Sequence, residues 1–287
     1  MTRKARHARG RPVLNEIVGR AVVVAYREDV NRLVSSLAEE GFHVEVLRAE
    51  YTDEEMTFTK NSRTFITHRK AWQKAADSTG YTLICEADFV PCRGIGNFDV
   101  FWPLENDRAW GYLYQGSPRL LAVVGPQRFL RGHTSPLVCY VINKTVGELM
   151  LEYFEVETKQ RDLRTYFTFD SHLQWYIMGL GAEAFIPRRH YGEHGGLPNA
   201  EHANFGRLSN DGRHRADNLM SSLHFLPSYA NGSHLSFLRV RLEAHLSGFA
   251  RLLLRRWIVT TNVYHLSPVD RAKMYLIGFR RLFSLPF

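Results

Sequence analysis

The first fifty residues carry a strand–helix–strand pattern, which limits the fold more than any other feature of the sequence. Residues 19–26 are apolar enough for a buried strand, and residues 42–47 alternate as a second strand. Between them, residues 28–40 place apolar side chains on one helical face and stop at Gly41. Strands joined through a helix lie parallel with a right-handed crossover, so the pattern predicts an α/β fold.

A third apolar segment, residues 82–85, ends in two carboxylates, Glu86 and Asp88, with only Ala87 between them. In an extended chain residues i and i+2 point to the same side, so both acids are expected to face one pocket. Open α/β sheets bind ligands at the carboxyl ends of their strands. Carboxylates there predict a divalent cation that holds a diphosphate. The alternative is an acidic strand end that caps a helix or pairs with Arg93.

The remaining pattern extends the α/β prediction. Tyr26 and Arg27 follow the first strand and are candidate contacts for a nucleotide base or ribose. No glycine-rich phosphate fingerprint accompanies the strands, which argues against a dinucleotide dehydrogenase or a P-loop NTPase. Helices are predicted at 61–77, 144–157 and 171–179, strands at 98–104, 110–113, 119–125, 137–142 and 184–187, and a flexible loop at 191–196.

Basic residues are concentrated at both ends of the chain, whose formal net charge is +8. Residues 1–12 carry five basic side chains and no acid, and they are expected to form a disordered arm. Residues 13–196 are expected to form the main domain, and the polar residues 197–231 a mobile, lid-like loop. Residues 232–287 carry nine basic side chains against two acids. Cationic ends of this kind suit an anionic surface, either lipid or nucleic acid.

The basic tail predicts two amphipathic helices, at 235–258 and 268–284. The first has an apolar stripe formed by Leu235, Leu238, Leu242, Leu246, Phe249 and Leu253. Such helices suit an anionic membrane interface; alternatively, the stripe packs on the domain or on a second subunit as a homodimer. Nucleic acid is not expected as a partner, because the aromatic residues lie on the apolar face rather than among the basic ones.

Three cysteines without zinc-ligand spacing favour a reducing, cytoplasmic compartment. The apolar run at 21–25 is too short for a signal peptide, and no stretch reaches the roughly 18 apolar residues of a membrane span. We therefore expect a cytoplasmic protein that is peripheral on the inner face of the cytoplasmic membrane.

One stretch, residues 62–91, combines a helix carrying Thr67, His68 and Trp72 with an apolar strand that ends Glu86-Ala87-Asp88. This stretch is similar to glycosyltransferase family 25, which includes bacterial lipooligosaccharide and collagen galactosyltransferases. The family pattern is a helix with Ser-His and a Trp, then a strand ending Glu-Asp-Asp. The middle carboxylate is missing here. A weaker similarity extends over about residues 20–190.

The resemblance implies a GT-A fold, with a Rossmann-like mixed sheet flanked by helices, as the catalytic domain of residues 13–196. It also implies a nucleotide-sugar donor, expected to be a UDP-sugar, and Mn²⁺ or Mg²⁺ as cofactor. The implied metal ligands are Glu86, Asp88 and His194, and the implied donor-site residues are Tyr26, Arg27, His68, Glu86 and Arg188. His194 is alternatively a surface-loop histidine, and His68 a core group that supports the site.

Asp170 is the candidate catalytic base if the transfer inverts the anomeric centre, and alternatively it caps a helix. The resemblance thus implies a metal-dependent glycosyltransferase that acts on a lipopolysaccharide, polysaccharide or lipid-linked acceptor at the cytoplasmic membrane face. Because Ala87 replaces the middle acid, the alternative is a non-catalytic membrane- or polymer-binding protein on a degenerate GT-A scaffold. A nucleotidyltransferase is disfavoured, because the chain lacks a glycine-rich N-terminal signature.

Overall fold

The computed structural model describes residues 11–116, 118–196, 222–256, 258 and 266–282. Most of the expected basic arm (1–12), much of the expected lid (197–231) and parts of the tail (232–287) lie outside the described residues. The strands are β1 Val18–Ala25, β2 Val44–Arg48, β3 Tyr81–Glu86, β4 Phe89–Pro91, β5 Ala109–Tyr112, β6 Arg119–Val124, β7 Phe129–His133, β8 Cys139–Ile142, β9 Glu183–Phe185 and β10 Gly192–His194. The α-helices are α1 Leu14–Ile17, α2 Asn31–Glu39, α3 Lys60–Ala76, α4 Lys144–Gln160, α5 Phe169–Gly179, α6 His234–Leu253 and α7 Pro268–Leu282.

Eight strands form one mixed sheet in the order β2-β1-β3-β8-β5-β9-β7-β6. The pairs β1–β2, β1–β3 and β5–β9 are parallel, and the remaining pairs are antiparallel. β4 and β10 form a separate two-stranded antiparallel sheet. The prediction of a GT-A-type, Rossmann-like mixed sheet flanked by helices is confirmed.

Alternation along the strands sends side chains into two cores, one on each face of the sheet. In β1, Val22 and Val24 enter the first core, while Val23 enters the second. The first core also contains side chains of α3, α4 and α5, whereas the second contains Leu33 and Leu37 of α2. The layers therefore leave the strand ends, rather than the strand faces, open for a ligand site.

Two expectations about local structure are wrong. Residues 98–104 are not a strand, because their apolar side chains cover the sheet instead of joining it. Trp102 lies so close above Gly111 that a Cβ there would come within 2.6 Å of its ring. The expected flexible loop at 191–196 contains β10, which is buried and pairs with β4. β7 was not predicted.

The tail forms helices α6 and α7, as expected, and the orientation of α6 decides between two alternatives for its apolar stripe. Its buried residues are Val240, Arg241, Ala244, Gly248 and Leu252. The six residues of the predicted apolar stripe point outward, with exposed fractions from 36% to 81%. The stripe therefore does not pack on the domain. No helix in the described part of the chain is long and apolar enough to cross a membrane.

Candidate metal centre

A cleft of about 690 Å³ opens at the carboxyl edge of the parallel strands. The ends of β1 and β3 form its floor, and the first turns of α3 and α5 border it. The residues before β8 also line it, because β8 is antiparallel to β3 and begins at the same edge. The cleft therefore lies where an open α/β sheet binds its ligands.

Glu86, Asp88 and His194 meet in this cleft, and one potential ligand atom from each lies within 4.8 Å of the others. β3 ends at Glu86, and the chain then turns before β4 begins at Phe89. Because of this turn the two acids do not follow strand geometry as predicted, and Ala87 also lines the cleft. The prediction that both acids face one pocket nevertheless agrees with the structure.

His194 reaches the acids through the pairing of β10 with β4, which places it opposite Phe89. The Gly195 N–H donates to the Asp88 backbone carbonyl at 2.7 Å, which ties the two segments together. His194 Nε2 then lies 3.3 Å from Asp88 Oδ2, and the residue is largely buried. His194 is thus not a surface-loop histidine.

The Glu86 carboxylate is held from behind by a buried hydrogen-bond chain. His68 Nε2 lies 3.2 Å from Glu86 Oε1, and His68 Nδ1 lies 2.9 Å from the Tyr140 hydroxyl. That hydroxyl accepts a hydrogen bond from Trp72 Nε1 at 2.7 Å. Fully buried His68 does not line the cleft, so it orients Glu86 rather than contacting a donor directly.

Electrostatics at Asp88 favour a positive ligand. Burial raises the pKa of Asp88 above its ordinary value, and the Glu86 carboxylate raises it further, whereas His194 lowers it. Asp88 Oδ1 is buried and has no hydrogen-bond partner among the described residues. Two carboxylates and an imidazole are ligands that Mn²⁺ accepts. Asp88 Oδ1 would offer the ion a lone pair that no described residue uses. The residues present therefore fit a divalent cation.

Gly196 keeps the space beside the acid open. A Cβ at this position would lie 2.2 Å from Asp88 Oδ2 and 3.1 Å from His194 Cε1. Only glycine leaves both ligand side chains where they are, so the glycines that suggested flexibility in the sequence instead permit close packing.

Of the other predicted residues, Tyr26 and Asp170 line the cleft and Arg27 and Arg188 do not. Asp170 is the second residue of α5 and not its N-cap, which is Thr168, but its Oδ1 accepts a hydrogen bond from the Ser171 N–H of the first turn at 2.7 Å. The Arg27 guanidinium is exposed and lies over the Tyr26 ring at 4.8 Å. Arg188 lines a different pocket, because the chain turns away from the cleft after β9.

Several cleft residues were missed, and three of them bear on ligand binding. Tyr51 follows β2, and its ring centroid lies 5.3 Å from that of Tyr26. Lys60 and Arg63 come from the first turn of α3 and bring positive charge to the cleft. The rule that identified Tyr26, a position just beyond a parallel strand, also applies to Tyr51. The two cations had no comparable signal, because basic residues recur throughout that helix.

Comparison with known proteins gives little further information. No protein-family model matches the chain, and no curated protein matches it. Among solved structures the chain is similar to a glycosyltransferase involved in the glycosylation of the major capsid of PBCV-1. The TM-score is 0.40 and the identity 10%, over 59% of this chain and 81% of that chain.

Proposed function

We propose that the protein is a metal-dependent glycosyltransferase that transfers a sugar from a nucleotide-sugar donor, a UDP-sugar, to a glycan or glycolipid acceptor. The observation that supports this most is the convergence of Glu86, Asp88 and His194 at the carboxyl edge of the sheet. The cleft around them has room for a donor and contains both aromatic and cationic side chains. Ala87 stands at the position of the middle acid in the family's Glu-Asp-Asp pattern. In this chain His194 would supply the third metal ligand instead.

Each part of the cleft has a role in donor binding. Tyr26 and Tyr51 offer aromatic surface to the base and ribose, while the Tyr51 hydroxyl is held by Thr67 Oγ1 at 2.8 Å. Lys60 and Arg63 lie where they neutralise diphosphate charge. Glu86, Asp88 and His194 would hold Mn²⁺ or Mg²⁺, which when bound supplies Lewis-acid stabilisation of the leaving diphosphate. His68 keeps the Glu86 carboxylate directed into the cleft.

Asp170 is the proposed general base. It lines the same cleft from the first turn of α5. A carboxylate in that position accepts the proton of an acceptor hydroxyl as the hydroxyl attacks the sugar. A general base at Asp170 corresponds to a transfer that inverts the anomeric centre. Asp88 and Glu86 would not serve as the base, because they are the proposed metal ligands.

We further propose that transfer takes place at the anionic cytoplasmic face of a membrane. The outward stripe of α6 offers apolar side chains to the lipid interface, and the arginines beside it offer positive charge. A membrane-bound enzyme reaches a lipid-linked acceptor without leaving the surface. This placement agrees with the exposed leucines of the stripe, because a protein surface that contacts only water seldom carries so many apolar side chains in one patch.

The test is a thermal-shift screen of nucleotide diphosphates and nucleotide sugars with Mn²⁺ or Mg²⁺, followed by a transfer assay. Asp88→Asn should abolish the metal-dependent shift and reduce transfer by about two orders of magnitude or more, because removing electrostatic stabilisation has effects of this size. Asp53→Asn removes an exposed carboxylate outside the cleft and should retain both. Full transfer by Asp88→Asn would refute the assignment, and failure of wild type to bind any nucleotide diphosphate would favour the non-catalytic alternative.

A further inference from the structure

We propose that Trp175 of α5 binds the acceptor, by stacking on a pyranose ring of a glycan. Its side chain is 53% exposed, more than any other large apolar side chain among the described residues of the main domain. This assignment rests on the proposed function, because a glycosyltransferase needs an acceptor site beside its donor cleft.

Trp175 lies at the edge of the metal cleft. Asp170 and Ser171, in the first turn of α5, line that cleft, whereas Trp175 does not. Residues four apart share a helical face with their Cβ atoms about 5–6 Å apart, so Trp175 lies one turn beyond Ser171 on the same face. Helical side chains lean toward the N-terminus of their helix, which here is the end at the cleft.

A contact with β7 leads to the same place. The Trp175 ring centroid lies 5.1 Å from that of His133, the last residue of β7. Ser135 follows two residues later in the chain and lines the cleft. Two separate segments therefore connect Trp175 to the rim of the cleft.

His133 supports the exposed ring from the protein side. It is 5% exposed, and the planes of the two rings meet at 71°. Burial lowers the pKa of His133 to about 4, and nearby Arg119 lowers it further, so the imidazole is neutral at pH 7. An aromatic ring that packs against a buried neighbour is held in place before a ligand arrives, which reduces the entropic cost of binding.

The surroundings of Trp175 favour a sugar ring over a lipid or a protein partner. The other exposed residues of α5 are His172 and Gly179, neither of which is large and apolar. A membrane or protein contact groups several apolar side chains in one patch, as the stripe of α6 does. A single aromatic ring among polar groups instead suits a pyranose, which offers C–H groups to the ring and hydroxyls to water or polar side chains.

The spacing also agrees with the proposed base. Asp170 and Trp175 are five residues apart, which is about 7.5 Å along the helix axis. One acceptor glycan can therefore place a ring on Trp175 while one of its hydroxyls reaches Asp170. Because Trp175 lies outside the donor cleft, its loss should affect acceptor binding and leave donor binding unchanged.

The first test is saturation-transfer NMR on the full chain in EDTA, without nucleotide. The probes are the methyl β-glycosides of glucose, galactose, mannose and N-acetylglucosamine. Wild type should transfer saturation to the ring C–H protons of at least one probe. Trp175→Ala should weaken that binding about tenfold, the size of one aromatic contact, and Trp175→Phe should retain most of it. Leu104→Ala is the matched control, because Leu104 is an exposed apolar side chain of the same domain outside the cleft.

The second test measures turnover of UDP-glucose and UDP-galactose with Mn²⁺, with and without the glycoside that wild type binds. Trp175→Ala should raise the KM for the glycoside about tenfold and leave hydrolysis of the donor by water unchanged. A purely structural role of Trp175 would lower both activities together.

Three results would overturn the proposal. These are the absence of saturation transfer from wild type to all four probes, equal glycoside binding by wild type and Trp175→Ala, and a loss in Trp175→Ala of flotation with anionic vesicles alone. Glycoside binding that depends on Trp175 in a protein that turns over no donor would uphold the glycan site and refute the transferase. Donor turnover without glycoside binding would do the reverse, so the two proposals fail separately.

Discussion

The substitution Arg241→Met tests how the C-terminal helices are attached to the domain. Arg241 of α6 forms an ion pair with Glu193 of β10, and the two side chains are 2% and 1% exposed. The Tyr229 hydroxyl donates to the other carboxylate oxygen of Glu193 at 2.6 Å. Burial lowers the pKa of Arg241 to about 10, so the guanidinium remains charged at neutral pH. Methionine retains most of the side-chain volume and removes only the charge and its donors.

The expected loss follows from what remains after the substitution. Removing one member of a buried ion pair costs about 3–5 kcal/mol, because the other charge stays buried without its partner. The Tyr229 hydrogen bond offsets about 1 kcal/mol of this. We therefore expect the free energy of unfolding to fall by about 3 kcal/mol, and the Tm by about 6–12 °C for a chain of this size.

The assay is urea denaturation followed by tryptophan fluorescence, with a thermal scan as a second measurement. Arg239→Met is the control, because Arg239 is 82% exposed and its loss should change stability by no more than about 0.5 kcal/mol. The double variant Glu193→Gln with Arg241→Met should recover much of the loss, because it leaves no buried charge. A loss below about 1 kcal/mol in Arg241→Met, or simple additivity in the double variant, would refute the buried ion pair.

Three further predictions concern the cleft and the stripe. The pKa of Asp88 is raised, so the folded protein binds that proton more tightly than the unfolded chain, and metal-free stability falls as the pH rises from 3.8 through the raised pKa. Mn²⁺ competes with the proton, so the Tm shift caused by Mn²⁺ should grow between about pH 4.5 and 7.5, and a constant shift would contradict the assignment. Gly196→Ala should displace the Asp88 carboxylate and abolish the Mn²⁺ shift, whereas Gly179→Ala, where a Cβ meets nothing within 4 Å, should not. Leu242→Asp should reduce flotation with anionic vesicles without lowering the Tm, because Leu242 is 52% exposed; unchanged flotation would count against membrane contact.

The sequence was sufficient to predict the features that depend on local pattern. The strand–helix–strand opening and the acidic end of β3 follow from periodicity, because alternation and apolar runs reflect burial on the two faces of a sheet. The placement of Glu86 and Asp88 in one cleft was predicted for this reason. The turn at Ala87 was not, since a single apolar residue is compatible with either strand or turn.

The features that depend on distant contacts were not predictable in the same way. Gly192, Gly195 and Gly196 suggested flexibility, yet a Cβ at Gly192 would lie 2.2 Å from the Phe89 ring, so glycine serves close packing there. The direction of the chain after β9, which removes Arg188 from the cleft, has no local signal. Periodicity gave the apolar stripe of α6 but not the side that faces the domain, which proved to be the side of Arg241, Ala244 and Gly248.

The pairing of β4 with β10 also has a consequence for the order in which the protein folds. The main sheet contains its last strand once the chain has reached Phe185, but the pairing of His194 with Phe89 must span roughly a hundred residues. Glu193 then finds its ion partner only when Arg241 has emerged. The cleft therefore matures after the strands of the main sheet are complete, and metal binding should report that synthesis has passed His194 and, through the Glu193–Arg241 pair, helix α6.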